Sequence, residues 1–333
     1  MSYVSLNNKT HFSFMQALPD PKSLLQKAKD LGHTAIAITD TANLIATWDA
    51  HKEAKKIGIK YIPGCEFYFV DDLQKPEERL RTLILLAKNH IGYKNLLLLH
   101  KLANDNLLIG TRKNYPRIDW KILEQHTEGL ICLTGDCSGI LGQPICTRRT
   151  EEAKTIAKRL QDLFKLNLGL EVQPSTQTRT ENIYSTAQDQ RFVNTQVIKI
   201  AKELNIKIVP TTGCRYLEKE DWEAHDVACA IGAGQQVKSG NRPKYSNDFY
   251  FKTEEEVRSY FARLYPKDID EWMSNTVFFA DQCEEPVWID PKFTNPSGKE
   301  LPEFPVKDQH DYLEFLKWKE NPVYPCATEE ETK

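Results

Sequence analysis

The 333-residue sequence has no run of 18 apolar residues, so no segment is suited to crossing a bilayer as a helix. Residues 1–9 also lack the apolar stretch of a secretory signal peptide. These two absences predict a cytoplasmic protein with no membrane partner. The net charge is only -3 and 40% of the residues are hydrophobic, which excludes disorder as the main state of the chain.

Motifs for several kinds of chemistry are also missing. The eight cysteines form no Cys-x-x-Cys pair, so we expect reduced thiols rather than a zinc site. No glycine-rich phosphate loop follows the first predicted strand, and there is no Walker loop and no recognisable Ser-His-Asp set. Since 44 basic residues face 47 acidic ones, the protein is not a uniformly basic nucleic-acid binder, although a local basic patch remains compatible.

Short apolar runs alternate with amphipathic segments along the first 216 residues. The runs are apolar throughout, as strands buried on both faces require. This alternation predicts an α/β fold in which a parallel sheet forms a closed or nearly closed barrel, with a doubly wound open sheet as the alternative. We predict strands at 3–6, 34–38, 60–70, 83–87, 129–133, 168–172 and 206–209, and helices at 21–31, 46–57, 93–102, 151–164 and 191–204.

The pattern after residue 216 is helical and then rich in proline. We predict helices at 219–231, 253–264 and 269–283, the second capped by Thr253. Five prolines between 286 and 305 predict an extended connector over 284–310. We therefore expect a domain over 1–283, with a barrel core at about 1–216 and a helical extension at about 217–283. Residues 311–333 would begin a further region or form a mobile tail.

Several segments then carry a family pattern, in order, between about residues 3 and 315. They are AIAITD at 35–40, AKKIGIKYIPGCE at 54–66, LLAKN at 85–89, GYKNL at 92–96, EGLICLTG at 128–135 and DFYFK at 248–252. Together they resemble the N-terminal PHP (polymerase and histidinol phosphatase) domain of bacterial DNA polymerase III α subunits. The resemblance implies a distorted seven-stranded (βα) TIM-like barrel of PHP type, followed by a small helical extension.

Metal-binding members of that family hold up to three ions with histidines and carboxylates at the strand ends. The resemblance places those ligand positions here on Ser5, Asn7, Lys9, Asp40, Thr41, Glu66, Thr82, Ser175, Gly213 and Arg215. Most of these residues are not metal ligands, so we expect neither catalytic residues nor a cofactor. The alternative is a residual magnesium, manganese or zinc site at Asp40, Glu66 and the nearby His11.

Two of the substitutions introduce positive charge where the family places metal ions. Buried carboxylates need partners, because burying an unpaired charge is costly. We therefore expect Lys9 or Arg215 to pair with Glu66 or Asp40, so that side-chain cations replace the metal. The alternative is that Lys9 and Arg215 are solvated on a mobile rim.

The resemblance implies a structural or partner-docking module in DNA replication. It would support the palm and thumb of a polymerase, in the same or a separate chain, and, as in some relatives, contact a proofreading exonuclease subunit. DNA would be contacted indirectly. The palm's catalytic aspartates have no counterpart here, so this chain alone should not synthesise DNA. The alternatives are a residual metal-dependent phosphoesterase or 3′–5′ proofreading exonuclease, and a DNA-binding accessory module.

Overall fold

Eight strands form one mixed sheet within the residues that our computed structural model describes, which are 3–75, 80–109, 114–174, 187–239 and 245–289. The hydrogen-bonded order is β4-β5-β2-β3-β6-β7-β8, and β1 pairs with β2. The strands are β1 (Ala35–Ile38), β2 (Lys60–Phe69), β3 (Arg81–Ala87), β4 (Leu107–Ile109), β5 (Asn114–Ile118), β6 (Leu130–Leu133), β7 (Leu168–Val172) and β8 (Lys207–Pro210).

Ten α-helices occur in the same described ranges. Local signals locate several of their ends: Asp20 caps the first helix, and Gly58 ends the second in a left-handed conformation. The helices are α1 (Pro21–Asp30), α2 (Thr47–Ile57), α3 (His90–Asp105), α4 (Trp120–Glu124), α5 (Gly142–Cys146), α6 (Thr150–Phe164), α7 (Ala187–Leu204), α8 (Trp222–Gly232), α9 (Glu254–Ala262) and α10 (Ile269–Asp281).

The predicted all-parallel sheet is wrong. Strand β3 runs antiparallel to both β2 and β6, and β4 runs antiparallel to β5. Only residues 70–80 separate β2 from β3, fewer than the dozen or more that a parallel crossover needs. The sequence prediction also missed β4 and β5, because both are short and partly exposed and β5 contains Pro116.

The first predicted strand, at 3–6, forms only isolated bridges, yet the segment 3–9 is hydrogen bonded both to β1 and to the chain just after β8. The carbonyl of Ser5 accepts from the amide of Ala37 in β1 at 3.0 Å. The carbonyl of Asn7 accepts from the amide of Cys214, and the amide of Lys9 donates to the carbonyl of Cys214 at 2.9 Å. Among the described residues, the strands do not form a closed ladder. The α/β class is confirmed, with a mixed sheet.

Apolar side chains cover both faces of the central strands, as the uninterrupted apolar runs predicted. In β3, Leu83 and Leu85 pack towards α3, α6 and α7 on one face, whereas Ile84 and Leu86 pack against the N-terminal segment and α10 on the other. Buried polar residues lie close to one end of the sheet, in the N-terminal segment, within β2 and β7 and just after β1 and β8. We call this polar region the mouth, and its main members are Asn7, Lys9, Asp40, Thr41, Glu66, Glu171, Thr211 and Arg215.

The helices predicted after residue 216 are present, and α10 packs against β8 of the sheet. The side-chain amide of Asn275 in α10 donates to the carbonyl of Ile208 in β8 at 3.0 Å. Thr253 caps α9, with Glu256 completing a reciprocal capping box. The first part of the predicted connector, 284–289, contains a 3₁₀ turn with Trp288 buried. The remainder of the connector and the segment 311–333 lie outside the described residues.

None of the helices in the described ranges combines the length and the apolarity needed to span a membrane. The predicted cytoplasmic location stays a prediction.

Candidate functional site at the mouth

An ion pair between Lys9 and Glu66 lies at the centre of the mouth. The Nζ of Lys9 is 3.1 Å from Oε2 of Glu66 and donates to the carbonyl of Thr39 at 2.9 Å. The hydroxyl of Thr41 donates to the same Oε2 at 2.8 Å. Both charged residues are buried, Lys9 with 1% of its surface exposed and Glu66 with 9%. The sequence left open whether Lys9 or Arg215 pairs with Glu66 or Asp40, and the structure contains the pair of Lys9 with Glu66.

The charges at the mouth decide the ionisation of Glu66. Burial by itself opposes ionisation, but the charge of Lys9, then that of Arg215, together with the hydroxyl of Thr41, outweighs it. The pKa of Glu66 is therefore held below its usual value. Glu66 is a carboxylate whose charge is already neutralised by a side chain of the same protein.

Asp40, at the end of β1, has partners of a different kind. One carboxylate oxygen accepts from the amide of Thr10 at 2.7 Å and from the hydroxyl of Ser13 at 2.6 Å. The other accepts from the hydroxyl of Thr10 at 2.7 Å. Burial raises the pKa of Asp40, and these hydrogen bonds and the charge of Lys9 offset only part of that effect. Asp40 thus holds the loop after the N-terminal segment against β1.

Arg215 makes no direct ion pair with Glu66 or Asp40 among the described contacts. Its Nη1 donates to the carbonyl of Gln16 at 3.4 Å, and its guanidinium lies 5.2 Å from the ring centroids of Tyr245 and Phe249. Only 8% of its surface is exposed. The alternative of two solvated rim cations is therefore wrong, because both side chains are buried, Lys9 against oxygen atoms of Glu66 and Thr39 and Arg215 against two aromatic rings.

Asn7, another position predicted from the family pattern, binds a carboxylate that sequence reasoning missed. Its side-chain amide donates to Oε1 of Glu171 at 3.1 Å, and the hydroxyl of Thr211 donates to the same oxygen at 2.6 Å. The amide of Gly135 donates to Oε2. Burial raises the pKa of Glu171, since these hydrogen bonds offset only part of the desolvation. The available signal was a lone charge within the otherwise apolar run LGLEV.

The other positions predicted from the family pattern carry no charge. The hydroxyl of Ser5 donates to the side chain of Asn8 at 2.8 Å. The hydroxyl of Thr82 is buried without a hydrogen-bond partner in the described part of the chain. Gly213 has a positive φ of 54°, and the side chain of Gln173 lies where a β-carbon would point. Ser175 lies outside the described residues.

The donor set of the mouth does not fit a cluster of divalent ions. Within the described ranges, no three histidines, cysteines, aspartates or glutamates come together as a possible metal site. His11, the third member of the alternative site, is exposed and packs edge-on against Phe12 with centroids 4.4 Å apart. The ion pair points the same way, because the ammonium of Lys9 contacts Glu66, the carboxyl group of the alternative site whose pKa is lowered.

A model of the PHP domain family matches residues 5–175. That match includes Asn7, Lys9, Asp40, Thr41, Glu66 and Glu171, whereas Thr211, Gly213 and Arg215 lie beyond it.

The chain is also similar to DNA polymerase III α subunits. It is 33% identical to that of Borreliella burgdorferi over 328 residues, which covers 94% of this chain and 26% of the relative. It is 32% identical to that of Chlamydia pneumoniae, covering 85% of this chain and 24% of the relative, and 33% identical to that of Treponema pallidum, covering 85% and 23%. The chain spans about a quarter of the length of these relatives.

Two solved structures resemble the fold at low similarity. One is a putative metal-dependent phosphoesterase from Bifidobacterium adolescentis, with a TM-score of 0.41 and 13% identity, covering 78% of this chain and 96% of that one. The other is a two-domain protein from Bacteroides vulgatus containing a predicted PHP-like metal-dependent phosphoesterase, with a TM-score of 0.39 and 12% identity, covering 77% and 61%.

Proposed function

The chain belongs to the PHP domain family, and on that premise we propose that it acts as a metal-free structural or partner-docking module of a DNA polymerase III α-type replicative polymerase. The similarity to the α subunits extends over nearly the whole chain but only about a quarter of each relative. This similarity supports a role in DNA replication as one part of a larger protein or complex.

The Lys9–Glu66 ion pair is the observation that carries the metal-free half of this proposal. Hydrolysis of a phosphoester by a PHP-type site needs several ions to activate water and stabilise the phosphate charge. Here an ammonium contacts the carboxylate that would bind such an ion, at 3.1 Å. Like charges repel, so a divalent cation could reach Glu66 only if Lys9 moved away.

The proposed partners are those of a supporting domain. We propose that the module packs against the palm and thumb region of a polymerase, in the same or a separate chain, and that it can dock a proofreading exonuclease subunit. Its contact with DNA would then be indirect. A rigid, well-packed domain suits that role, because a docking surface needs a fixed shape rather than a reactive centre.

The same proposal includes the finer architecture, a distorted TIM-like barrel. The segment 3–9 supports it, since its backbone is hydrogen bonded both to β1 and to Cys214 beyond β8. In this view the segment takes the place of a regular strand and completes the ring around the inner apolar face.

Metal analysis and a nuclease assay of the purified 333-residue protein test the proposal. We expect no stoichiometric manganese, zinc or magnesium, no release of nucleotides from primed DNA, and no change in thermal stability on adding a chelator. The matched variant is Glu66→Gln, which removes one of the two carboxylates, Asp40 and Glu66, of the alternative metal site.

Stoichiometric metal together with hydrolysis that is lost in Glu66→Gln would refute the proposal and establish a residual phosphoesterase or exonuclease. Salt-sensitive binding to primed template by this chain alone would instead indicate a DNA-binding accessory module. Co-purification with a polymerase palm polypeptide would support the scaffold role directly.

A further inference from the structure

We propose that the mouth contains a cation-binding cage built from Thr39, Thr41 and Glu66, that the ammonium of Lys9 is its resident guest, and that the cage binds a free primary alkylammonium ion when Lys9 is shortened. The inference rests on the proposed metal-free state. Beyond that state, it assigns a binding site at the mouth, names the class of ligand that fits it, and gives the bound ammonium a role in bracing the segment 3–9.

The walls of the cage are oxygen atoms from separate parts of the chain. Oε2 of Glu66 lies 3.1 Å from Nζ of Lys9, and the carbonyl oxygen of Thr39 lies 2.9 Å from it. The hydroxyl of Thr41 holds Oε2 in place by donating to it at 2.8 Å. The hydrogen bond from Thr41 is thus a contact, separate from Lys9, that holds the carboxylate in place.

The backbone around the cage is itself fixed. The amide of Glu66 donates to the carbonyl of Asp40, and the amide of Thr39 donates to the carbonyl of Asn8. The hydroxyl of Ser13 accepts from the amide of Thr41 at 3.0 Å. Because backbone hydrogen bonds hold each wall, shortening one side chain should leave an open space rather than collapse it.

The distances indicate the class of guest. Separations of 2.9 and 3.1 Å are those of N–H···O hydrogen bonds from a cationic donor. They exceed the roughly 2.0–2.1 Å that Mg²⁺ and the roughly 2.3–2.6 Å that Ca²⁺ require from oxygen ligands. A primary ammonium group also suits the site because it donates several hydrogen bonds from one nitrogen.

The guest joins three parts of the fold. Lys9 belongs to the segment 3–9, Thr39 follows β1, and Glu66 lies within β2. The backbone amide of Lys9 also donates to Cys214, beyond β8. The ammonium therefore braces the segment that lies between the first and last strands, which is where the strand ladder is open.

Chemical rescue of Lys9→Ala tests this inference in the full chain. The substitution removes three methylene groups and the amino group, and n-propylammonium supplies the same atoms. We expect the midpoint of thermal unfolding to fall by roughly 6–15 °C in Lys9→Ala, because a buried carboxylate loses its partner. Added n-propylammonium should restore part of that loss with a saturable dependence on its concentration.

Matched samples identify the site of rescue. Wild type should show no saturable response, because Lys9 already fills the cage, and Lys9→Ala/Glu66→Gln should show none, because the carboxylate is gone. Tetramethylammonium carries the charge without N–H donors and should not rescue. Equal responses of Lys9→Ala and Lys9→Ala/Glu66→Gln, or rescue by tetramethylammonium, would overturn the proposal. So would rescue by Mn²⁺ in place of n-propylammonium, since that outcome identifies a divalent-ion site.

A second set of variants keeps the inference testable if Lys9→Ala does not fold. Lys9→Met retains most of the side-chain volume, so a cycle of Lys9→Met, Glu66→Gln and the double variant measures the coupling between the two groups. If the double variant loses less stability than the two single variants lose together, the two groups are coupled and the cage is supported. If the two losses simply add, the cage is refuted. Metal content and nuclease activity of the wild type decide the proposed function separately from these measurements.

Discussion

The backbone amide of Val4 donates a 2.9 Å hydrogen bond to the hydroxyl of Thr276, so that the beginning of the fold is attached to its last long helix. The same hydroxyl donates to the carbonyl of Met273 at 2.6 Å, within α10. Val4 and Thr276 are both buried, and α10 also contributes Phe279 to the inner apolar face. Helix α10 is therefore part of the packing that holds the segment 3–9 in place.

Replacing Thr276 by valine should destabilise the protein. Valine keeps the shape but leaves the amide of Val4 buried without an acceptor, at a cost of about 1–3 kcal/mol. Urea denaturation measures the change in the free energy of unfolding. The matched control is Thr155→Val in α6, at an exposed site where the hydroxyl bonds only within its own helix. Equal small effects of the two substitutions would contradict a special role for Thr276.

Replacing Glu171 by glutamine should also destabilise the protein, although the two side chains have nearly the same size. The carboxylate accepts from Asn7, Thr211 and Gly135, whereas an amide would direct its NH₂ group at one of these donors. The expected cost is about 1–3 kcal/mol, measured by denaturation. Glu223→Gln, on the exposed face of α8, should change little. Wild-type stability of Glu171→Gln would show that the mouth tolerates rearrangement.

The protein should lose stability in mild acid, because His33 is protonated more readily in the unfolded chain than in the folded one. Its ring lies between those of Tyr3 and Phe251, and burial lowers the pKa of His33 to about 4, with the charge of Glu254 opposing the shift. As the pH falls from about 6.5 towards 4, the unfolded chain takes up a proton at this ring and the folded chain does not. Stability is therefore lost through that window, by about 3 kcal/mol, and the loss levels off below it.

Denaturation curves between pH 7 and pH 4 measure this effect. His33→Phe keeps an aromatic ring without the titrating group and should show a smaller loss than wild type. Burial also lowers the pKa of His225 to about 4, so that residue contributes a similar loss in both proteins. Identical pH dependence of wild type and His33→Phe would refute the assignment to His33.

Replacing Gly92 by alanine should be severe, because α3 approaches the chain before β6 too closely for a side chain. A β-carbon at Gly92 would lie 1.9 Å from the carbonyl oxygen of Gly129, a backbone atom that cannot move aside. We expect a loss of about 3 kcal/mol. At Gly58 a β-carbon would make only an ordinary 4.0 Å contact with Nζ of Lys29, so Gly58→Ala should cost only about 1–2 kcal/mol through its left-handed conformation. A thermal melt that ranks the two in the opposite order would contradict this packing.

The sequence by itself determined the features that depend on neighbouring residues. The apolar runs predicted seven segments in or next to the sheet, and Pro21, Gly58 and Thr253 marked helix ends that the structure confirms. Each of these signals acts within one or two turns of chain, where propensity, capping and periodicity operate. The family pattern likewise located the polar positions at the strand ends without any knowledge of their contacts.

Tertiary structure alone decided which residues meet. The sequence left four pairings open for Lys9 and Arg215, and the fold selected Lys9 with Glu66 while enclosing Arg215 among aromatic rings. It also joined Asn7 to Glu171, 164 residues apart, and turned β3 antiparallel to β2. Such choices depend on where the chain returns and in which register, which are properties of the whole packing rather than of any local stretch.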